Sequence, residues 1–329
     1  MTALRWGILA TGGIAHSFVS DLRVAGRDVV AVASRTQDRA DAFAAEFGIP
    51  RAHGSWADLA ADPDVDIVYI ATPHPQHIEP ALLMIDAGKH VLIEKAFTVN
   101  AAEAAQIGDA AAAKGVLAME AMWTRYLPHM IRIREILAAG TLGEVRSLTA
   151  DHTQAITADP AHRLNALELG GGALLDLGIY PISFTWDVFG RPERILAAAR
   201  MMDTGADEEL ATIFTYPGGQ IATTFSSSRT KGRNIATILG TEARIEIAGV
   251  WYARTSFQVI ANDGTVLERY ESDYDGTGLY FEALAAERLV AAGEFGGDIL
   301  TIDETVAIMA CLDEIRSQIG LVYPGESAD

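Results

Sequence analysis

Three ionisable side chains occupy positions from which they could move a proton to or from a substrate. Lys95 follows residues 91–94, a short apolar run ending in Glu94 that is typical of a buried parallel strand. Ligands of an open α/β sheet collect beyond the carboxyl ends of its strands. Asp176 and Tyr180 are four residues apart in an apolar helical segment and are expected on one helix face. These residue types predict general acid–base chemistry, with a structural hydrogen bond between Asp176 and Tyr180 as the alternative.

The start of the chain has the pattern of a dinucleotide-binding turn. Residues 5–10 predict a strand, and a glycine-containing turn leads from it into an amphipathic helix. In the pattern G-x-G-x-x-G/A, the glycines allow a tight turn and a close approach of backbone to pyrophosphate. Gly12 and Ala15 fill the second and third places, whereas Ala10 occupies the first. We therefore expect the turn at Ala10 not to require a positive φ.

The second predicted strand, residues 28–34, ends where a ribose-binding residue belongs. The residues there are Ser34, Arg35 and Thr36, and two hydroxyls and a guanidinium suit a 2′-phosphate better than a ribose diol. The sequence therefore predicts NADP, with NAD possible. The alternative for Arg35 is stacking near the adenine or exposure to solvent.

A further predicted strand, residues 65–71, ends at a rigid turn that would cover the cofactor. His74 and His77 are spaced as a possible metal pair, but no carboxylate or cysteine pattern completes a site. We expect loop packing or a nicotinamide-side contact for these histidines, and no metal. The predicted cofactor-binding residues are Thr11, Gly12, Gly13, Ile14, Ala15, Ser34, Arg35, Thr72, Pro73, His77, Glu94 and Lys95.

The alternation of strands and helices predicts a doubly wound parallel Rossmann sheet over residues 1–123. Residues 124–329 predict an α+β domain for substrate binding and oligomerisation, built on a large, open, mainly antiparallel sheet. One sheet face, carrying Phe225, Trp251 and Phe257, is expected to be open. Such a face favours a homodimer or homotetramer.

Composition excludes several classes of partner. The formal net charge of −19 and the sequence pI of about 4.7 disfavour nucleic acid and anionic membranes. Cys311 is the single cysteine, so no intrachain disulfide is possible. The amino terminus has no signal-peptide pattern, and no uncharged apolar run is long enough to span a membrane. We expect a cytoplasmic protein that acts on a small molecule.

The motifs together resemble one family, the oxidoreductases related to glucose-fructose oxidoreductase and inositol dehydrogenase (Gfo/Idh/MocA). The matching residues are Gly12 and Ala15, residues 70–73 with His77, Glu94 with Lys95, and residues 170–180. Residues 94–98 and 120–125, with Tyr180 in place of a histidine, are most similar to the dihydrodiol dehydrogenase branch. The family resemblance implies a nicotinamide-dependent enzyme acting on a secondary alcohol or ketone of a sugar, polyol or cyclic diol.

The resemblance also shows two departures from the family pattern. Ala96 replaces the proline that usually follows the family lysine, and Ala10 replaces the first glycine of the turn. The conformation after Lys95 and the affinity for the cofactor are the properties that these departures affect.

Several roles stay open at the level of sequence. Lys95 and Tyr180 could exchange the roles of proton carrier and hydrogen-bond donor, and Asp176 could orient the lysine or bind a second hydroxyl. Arg163 is either a substrate-side cation or part of a surface salt bridge. Trp123 and Arg125 line the pocket, pack in the core or pair at the domain interface. The alternative functions are a non-catalytic dinucleotide-binding sensor and a reductase of a conjugated or imine substrate.

Overall fold

The computed structural model describes residues 4–326, and the chain forms two compact units. Unit 1 contains the chain up to Trp123 together with Tyr274–Met309, and unit 2 contains Thr124–Asp273 and the chain from Ala310 onward. The sequence analysis places residues 274–309 in the second domain, so the structure differs there. Within the described range, no helix combines the length and apolar character that crossing a lipid bilayer requires.

Unit 1 is built on a six-stranded parallel sheet with the order β3-β2-β1-β4-β5-β6. Its strands are β1 (Trp6–Leu9), β2 (Val29–Ala33), β3 (Arg51–His53), β4 (Ile67–Ile70), β5 (His90–Glu94) and β6 (Ala118–Ala121). The central strands are buried on both faces because helices cover the sheet on either side, which explains their continuous Val, Ile and Leu runs. The predicted doubly wound parallel sheet is confirmed.

Helices connect consecutive strands of this sheet. They are α1 (Gly13–Val24), α2 (Gln37–Phe47), α3 (Trp56–Ala61), α4 (Ile78–Asp86) and α5 (Ala101–Lys114). Side-chain caps define two of the starts: Ser55 accepts a hydrogen bond from the Asp58 amide, and Asn100 accepts one from the Glu103 amide. These caps fix where each helix leaves the carboxyl end of the preceding strand.

Unit 2 is built on an eight-stranded sheet with the order β14-β13-β12-β11-β7-β10-β9-β8. The strands are β7 (Val145–Thr153), β8 (Arg194–Met201), β9 (Asp207–Thr215), β10 (Ile221–Ser227), β11 (Ala236–Gly240), β12 (Ala243–Ile247), β13 (Ser256–Ala261) and β14 (Val266–Glu271). All neighbouring pairs are antiparallel except β7 and β10. The predicted large, mainly antiparallel sheet is confirmed.

Two helices of unit 2 precede β8. Helix α6 spans Pro128–Ala138, and helix α7 spans Ile179–Phe189 after a π-helical turn over Leu174–Gly178. Helix α7 packs against β7 and β10, so the inner face of the sheet is buried. Such π-turns occur frequently at functional sites.

The open face of the second sheet differs in part from the prediction. Phe225 is 40% exposed as expected, but Trp251 and Phe257 are buried. The Trp251 ring stacks on Phe184 and its indole N–H donates to the carbonyl oxygen of Asp151 at 2.8 Å. Phe257 stacks on Tyr270. Trp251 is in the core because a partner for its indole N–H lies there.

Two closing helices follow, α8 (Tyr280–Ala292) and α9 (Ile302–Ile319). Helix α8 belongs to unit 1 because polar side chains of the Rossmann region bind it. The Asp21 carboxylate accepts hydrogen bonds from the amides of Gly278 and Leu279 at 2.7 and 2.8 Å. Trp6 and Arg27 both donate to the Glu287 carboxylate, at 3.1 and 2.8 Å.

Candidate functional site

The glycine turn after β1 presents open backbone at the start of α1. Gly12 is the N-cap of this 12-residue helix and supplies no side-chain cap, so the first amides of α1 have no side-chain acceptor from the cap residue. A Cβ atom added to Gly12 or Gly13 would meet no heavy atom within 4 Å. Ala15 is fully buried against the sheet. This arrangement fits the pyrophosphate of a dinucleotide, because helix N-termini bind anions through such amides.

Ala10 adopts a positive φ of 90°, contrary to the expectation from sequence. The Ala10 amide still donates to the carbonyl oxygen of Ala33 on the neighbouring strand at 2.9 Å, and the chain then turns into the glycine loop. A left-handed conformation costs an L-residue roughly 1–2 kcal/mol because Cβ approaches the following carbonyl. The turn therefore needs glycine-like geometry, and alanine adopts it with strain.

A cavity of about 280 Å³ lies between the glycine turn with α1 and the helix α2 that follows β2. Its lining includes Thr11, His16 and Arg39, with Phe43 and Glu46. Ser34 is buried, whereas Arg35 and Arg39 are exposed. The sequence analysis missed Arg39, although its spacing of four residues from Arg35 at the start of α2 was a usable signal. The Arg39 guanidinium at this cavity fits a phosphate group.

The turn after β4 is held by one buried histidine. The ring nitrogens of His77 lie 2.7 Å from the carbonyl oxygen of Thr72 and 3.0 Å from that of Phe97. Burial lowers the pKa of His77, while its backbone hydrogen bonds act in the opposite direction. Thr72 also donates from its hydroxyl to the Gln76 carbonyl at 2.8 Å. His77 therefore fixes the Thr72–Pro73 turn to the segment that follows Lys95.

Lys95 lies immediately after β5 and is partly exposed. The preceding Glu94 is buried, and its carboxylate accepts a hydrogen bond from the Tyr69 hydroxyl. The Lys95 carbonyl lies 3.2 Å from Nε2 of His74, and the Lys95–Ala96 peptide bond is cis. Lys95 therefore lies at the carboxyl end of the sheet, as the sequence predicts.

His74 and His77 contact backbone carbonyls, and in residues 4–326 no three His, Cys, Asp or Glu side chains are arranged to hold a metal ion. The two imidazoles lie 5.7 Å apart between ring centroids, edge to face. These contacts correspond to the loop-packing role that the sequence analysis considered.

In unit 2, Asp176 lies in the π-helical turn and Tyr180 in the first turn of α7. Hydrogen bonds from i to i+5 widen a π-turn, so residues four apart fall short of a full turn there. The Arg163 guanidinium binds Asp176 with both terminal nitrogens, at 3.2 and 3.3 Å. The Arg163 side chain is 58% exposed and that of Asp176 is 11% exposed. Arg163 therefore forms a partly exposed ion pair with a predicted catalytic residue.

Tyr180 lies in an aromatic cluster that sequence patterns did not indicate. Its ring centroid is 4.8 Å from that of His152, edge to face, and 5.3 Å from that of Tyr252. His152 and Tyr252 stack at 3.8 Å. The three residues come from α7, β7 and the loop before β13, and only the fold brings them together.

Of the two remaining candidates, Arg125 is buried within unit 2. It donates from Nε to the Ser183 hydroxyl at 3.0 Å and forms an ion pair with Asp187 at 3.0 Å. Arg134 pairs with the other oxygen of Asp187 at 2.8 Å. These contacts correspond to core packing, one of the interpretations that the sequence leaves open for Arg125. Trp123 is partly exposed and lies at the end of the first segment of unit 1.

Unit 1 has the architecture of a dinucleotide-binding domain, with an open glycine turn, an arginine lining a cavity and a lysine at the end of β5. Unit 2 carries an aspartate and a tyrosine at the start of a buried helix. The class that these features define is the nicotinamide-dependent oxidoreductases.

Comparison with known proteins identifies the family. Residues 4–122 match the oxidoreductase family with an NAD-binding Rossmann fold, and residues 130–246 match the GFO/IDH/MocA C-terminal domain. The chain belongs to the Gfo/Idh/MocA family and is an oxidoreductase, as the sequence analysis predicts.

Full-length relatives include two enzymes with named activities. The trans-1,2-dihydrobenzene-1,2-diol dehydrogenase of Mus musculus is 37% identical, over 98% of each chain. The D-xylose 1-dehydrogenase (NADP(+)) of Hypocrea jecorina is 35% identical, over 98% of this chain and 93% of the relative. Among solved structures, a 3-ketoreductase from Actinomadura kijaniata in complex with NADP and TDP-benzene is 25% identical, with a TM-score of 0.84 and coverage of 97% and 98%.

Proposed function

We propose that this oxidoreductase uses NADP to interconvert a secondary alcohol and a ketone of a sugar, polyol or cyclic diol. The observation that carries the proposal is the open start of α1 at Gly12–Gly13 beside the cavity that Arg39 lines. The named activities of the dihydrodiol and D-xylose dehydrogenases support the substrate class. When bound, the nicotinamide accepts or supplies the hydride.

The proposed preference for NADP over NAD rests on the positively charged side chains that follow β2. Arg35 and Arg39 are exposed, and no carboxylate occupies the position after this strand, where NAD-specific sites place one. Glu46 also lines the cavity, and its Oε2 lies 3.3 Å from Nε2 of His16. We infer that the two guanidiniums bind the 2′-phosphate and that Thr11 to Ala15 bind the pyrophosphate. Thr72, Pro73, His77, Glu94 and Lys95 complete the proposed cofactor-binding set.

The chain has to supply proton transfer and orientation, which are the tasks proposed for three residues. Lys95 donates a hydrogen bond to the substrate oxygen, and Tyr180 transfers the alcohol proton. The pKa of a free tyrosine is about 10. Tyr180 can therefore accept a proton at neutral pH only when a nearby positive charge stabilises its phenolate. Asp176 orients its neighbours, and its ion pair with Arg163 places a cation at the start of the same helix. Trp123 and Arg163 are the proposed substrate-side residues.

Assembly through the second sheet is also part of the proposal. Five large apolar side chains are exposed on one face of this sheet. They are Leu196, Ile213, Ile221, Phe225 and Leu239. The strand registers pair Leu196 with Ile213. They also place Ser147 between Ile221 and Leu239, which lie on the two neighbouring strands. Exposed apolar side chains interspersed with Ser and Thr on one open sheet face favour a homodimer or homotetramer. A cytoplasmic location fits use of a soluble nicotinamide cofactor.

The test is a panel of sugars, inositols and cyclic diols assayed with NADP and NAD side by side, following absorbance of the reduced nicotinamide. We expect reduction of NADP by at least one diol or sugar, and much slower reduction of NAD. Tight binding of NADP without turnover of any compound would favour a sensor. Oxidation of NADPH by imines or conjugated carbonyls, with no alcohol activity in reverse, would favour the other reductase chemistry.

A further inference from the structure

One buried carboxylate holds the peptide segment that leads into the helix of Asp176 and Tyr180. Asp207, the first residue of β9, is fully buried. Its Oδ2 accepts a hydrogen bond from the Leu174 amide at 2.7 Å, and the Ala173 amide also donates to this carboxylate. Both amides lie at the start of the π-helical turn, where the first N–H groups of a helix have no partner within the helix. Asp207 therefore acts as a cap from a distant strand.

Close contacts on both sides of this segment explain the two glycines before the turn. A Cβ atom on Gly172, whose φ is 135°, would collide with Oδ1 of Asp207. On Gly171 it would lie 2.7 Å from the Ala166 carbonyl oxygen and 2.9 Å from that of Arg163. Only residues without a side chain let the backbone pass between the carboxylate and these carbonyls. Gly172 thus leaves room for the Asp207 carboxylate at the helix start, and Gly171 leaves room for the backbone of residues 163–166.

A second buried group fixes the same segment from the carboxyl-terminal region of unit 2. The Tyr323 hydroxyl donates to the Gly171 carbonyl oxygen at 3.1 Å, and the ring is buried. The Arg316 guanidinium lies over that ring, 5.1 Å from its centroid, and pairs with Glu326 at 2.6 Å. Asp207 and Tyr323 therefore bind backbone groups on consecutive peptides, which leaves the segment little freedom to shift.

We propose that Asp207 is a positioning residue for the reaction: by binding the amides of Ala173 and Leu174, it fixes the register of the π-turn from which Asp176 and Tyr180 project. This inference rests on the proposed function for those two residues. A negative group at a helix N-terminus is favourable, because the amides carry partial positive charge. Burial raises the pKa of Asp207 to about 7, and the amide hydrogen bonds act to lower it.

The test compares three variants of the full chain. Asp207→Ala removes the acceptor, Asp207→Asn keeps an acceptor oxygen without the charge, and Gly172→Ala pushes the carboxylate away while retaining it. Asp263→Ala is the matched control, because this exposed aspartate also accepts a backbone amide, from Thr265 at 2.8 Å, on the β13–β14 hairpin.

We expect Asp207→Ala and Gly172→Ala to lower kcat by about 10- to 100-fold, the scale on which a small misplacement of reacting groups acts. The dissociation constant for NADP should change by less than about twofold, because the proposed cofactor residues all lie in unit 1. Asp207→Asn should recover most of the lost kcat, since the amide oxygen still accepts the Leu174 hydrogen bond. The Asp263→Ala control should match the wild type in both measurements.

Hydrogen exchange at the Leu174 amide separates this inference from the proposed function. In the wild type this amide should exchange slowly, and in Asp207→Ala it should exchange faster, whether or not any substrate is turned over. If the wild type is inactive on every compound but its Leu174 amide is protected, the proposed catalytic function is contradicted, whereas the hydrogen bond from Leu174 to Asp207 is supported. Rapid exchange of Leu174 in the wild type, or wild-type kcat in a folded Asp207→Ala or Gly172→Ala variant, would overturn the inference.

Discussion

Replacing Ala10 with glycine should stabilise the protein, although glycine normally weakens a fold. Ala10 has a φ of 90° in the turn that joins β1 to the glycine loop. Glycine adopts this conformation without the contact between Cβ and the following carbonyl oxygen. The change removes a single methyl group and leaves the amide hydrogen bond to Ala33 in place.

The expected gain is the difference between two terms. Relief of the left-handed conformation is worth roughly 1–2 kcal/mol. Glycine also makes the unfolded chain more flexible, which costs about 0.4–1 kcal/mol. The net stabilisation is therefore about 0.5–1 kcal/mol, or an increase in Tm of about 1–4 °C for a unit of this size.

Calorimetry or thermal unfolding followed by circular dichroism measures this shift, and Ala45→Gly supplies the control. Ala45 is exposed inside α2, where glycine should destabilise by about 1 kcal/mol relative to alanine. The two substitutions are chemically identical and should move Tm in opposite directions. A decrease in Tm for Ala10→Gly, similar to that of the control, would show that residue 10 does not adopt a positive φ and would refute the reasoning.

Three further predictions concern the cofactor, pH dependence and assembly. Arg39→Gln should weaken NADP binding by about 10- to 100-fold, which corresponds to the loss of one hydrogen bond to a charged group. NAD binding should stay nearly unchanged. An equal loss of affinity for both cofactors would contradict the 2′-phosphate role of Arg39. Burial lowers the pKa of His129 to about 4, and its Nε2 donates to the Trp251 carbonyl at 3.0 Å. The pKa of His129 is lower in the folded state than in the unfolded state. Neutral His129 therefore contributes at most about 3 kcal/mol of stability above about pH 6.5, and this contribution is lost as the pH falls through about 4. His129→Gln, compared with His16→Gln in acid unfolding, should remove that part of the pH dependence, and equal pH dependence in all three proteins would contradict it. Ile213→Asp, on the open sheet face, should shift the protein toward monomer in sedimentation; an unchanged mass would exclude this face as the interface.

Local sequence patterns were sufficient for most of the first unit. The strand endings at Ser34, Thr72 and Glu94 follow from buried apolar runs that stop at polar residues, and a parallel sheet necessarily brings such endings to one edge. The glycine turn was likewise recognisable from Gly12 and Ala15. These features depend on residues close together in the sequence, where periodicity carries the information.

Features that depend on distant contacts were not predictable in this way. Ala10 differs from the usual glycine, and only the backbone shows that the positive φ persists. The segment Tyr274–Met309 joins unit 1 because Asp21 binds the amides of Gly278 and Leu279, a pairing that no pattern in either segment indicates. Trp251 looked like an exposed aromatic until its indole partner, the carbonyl of Asp151, was known.

The candidate site shows the same division. Lys95, Asp176 and Tyr180 stood out through residue type and local setting. Asp207 did not, because Gly172, which leaves room for it, lies 35 residues before it in the chain. The structure shows that Gly172 faces the carboxylate of Asp207 and that Gly171 faces the backbone around Ala166.

The most direct test of the proposed chemistry compares Lys95→Met and Tyr180→Phe with the wild type, using NADP and the best substrate of the panel. Both variants should bind NADP with nearly wild-type affinity while kcat falls by about 100-fold or more, the usual loss when a general acid or base is removed. Turnover close to that of the wild type in both variants would contradict the assignment of proton transfer to Lys95 and Tyr180.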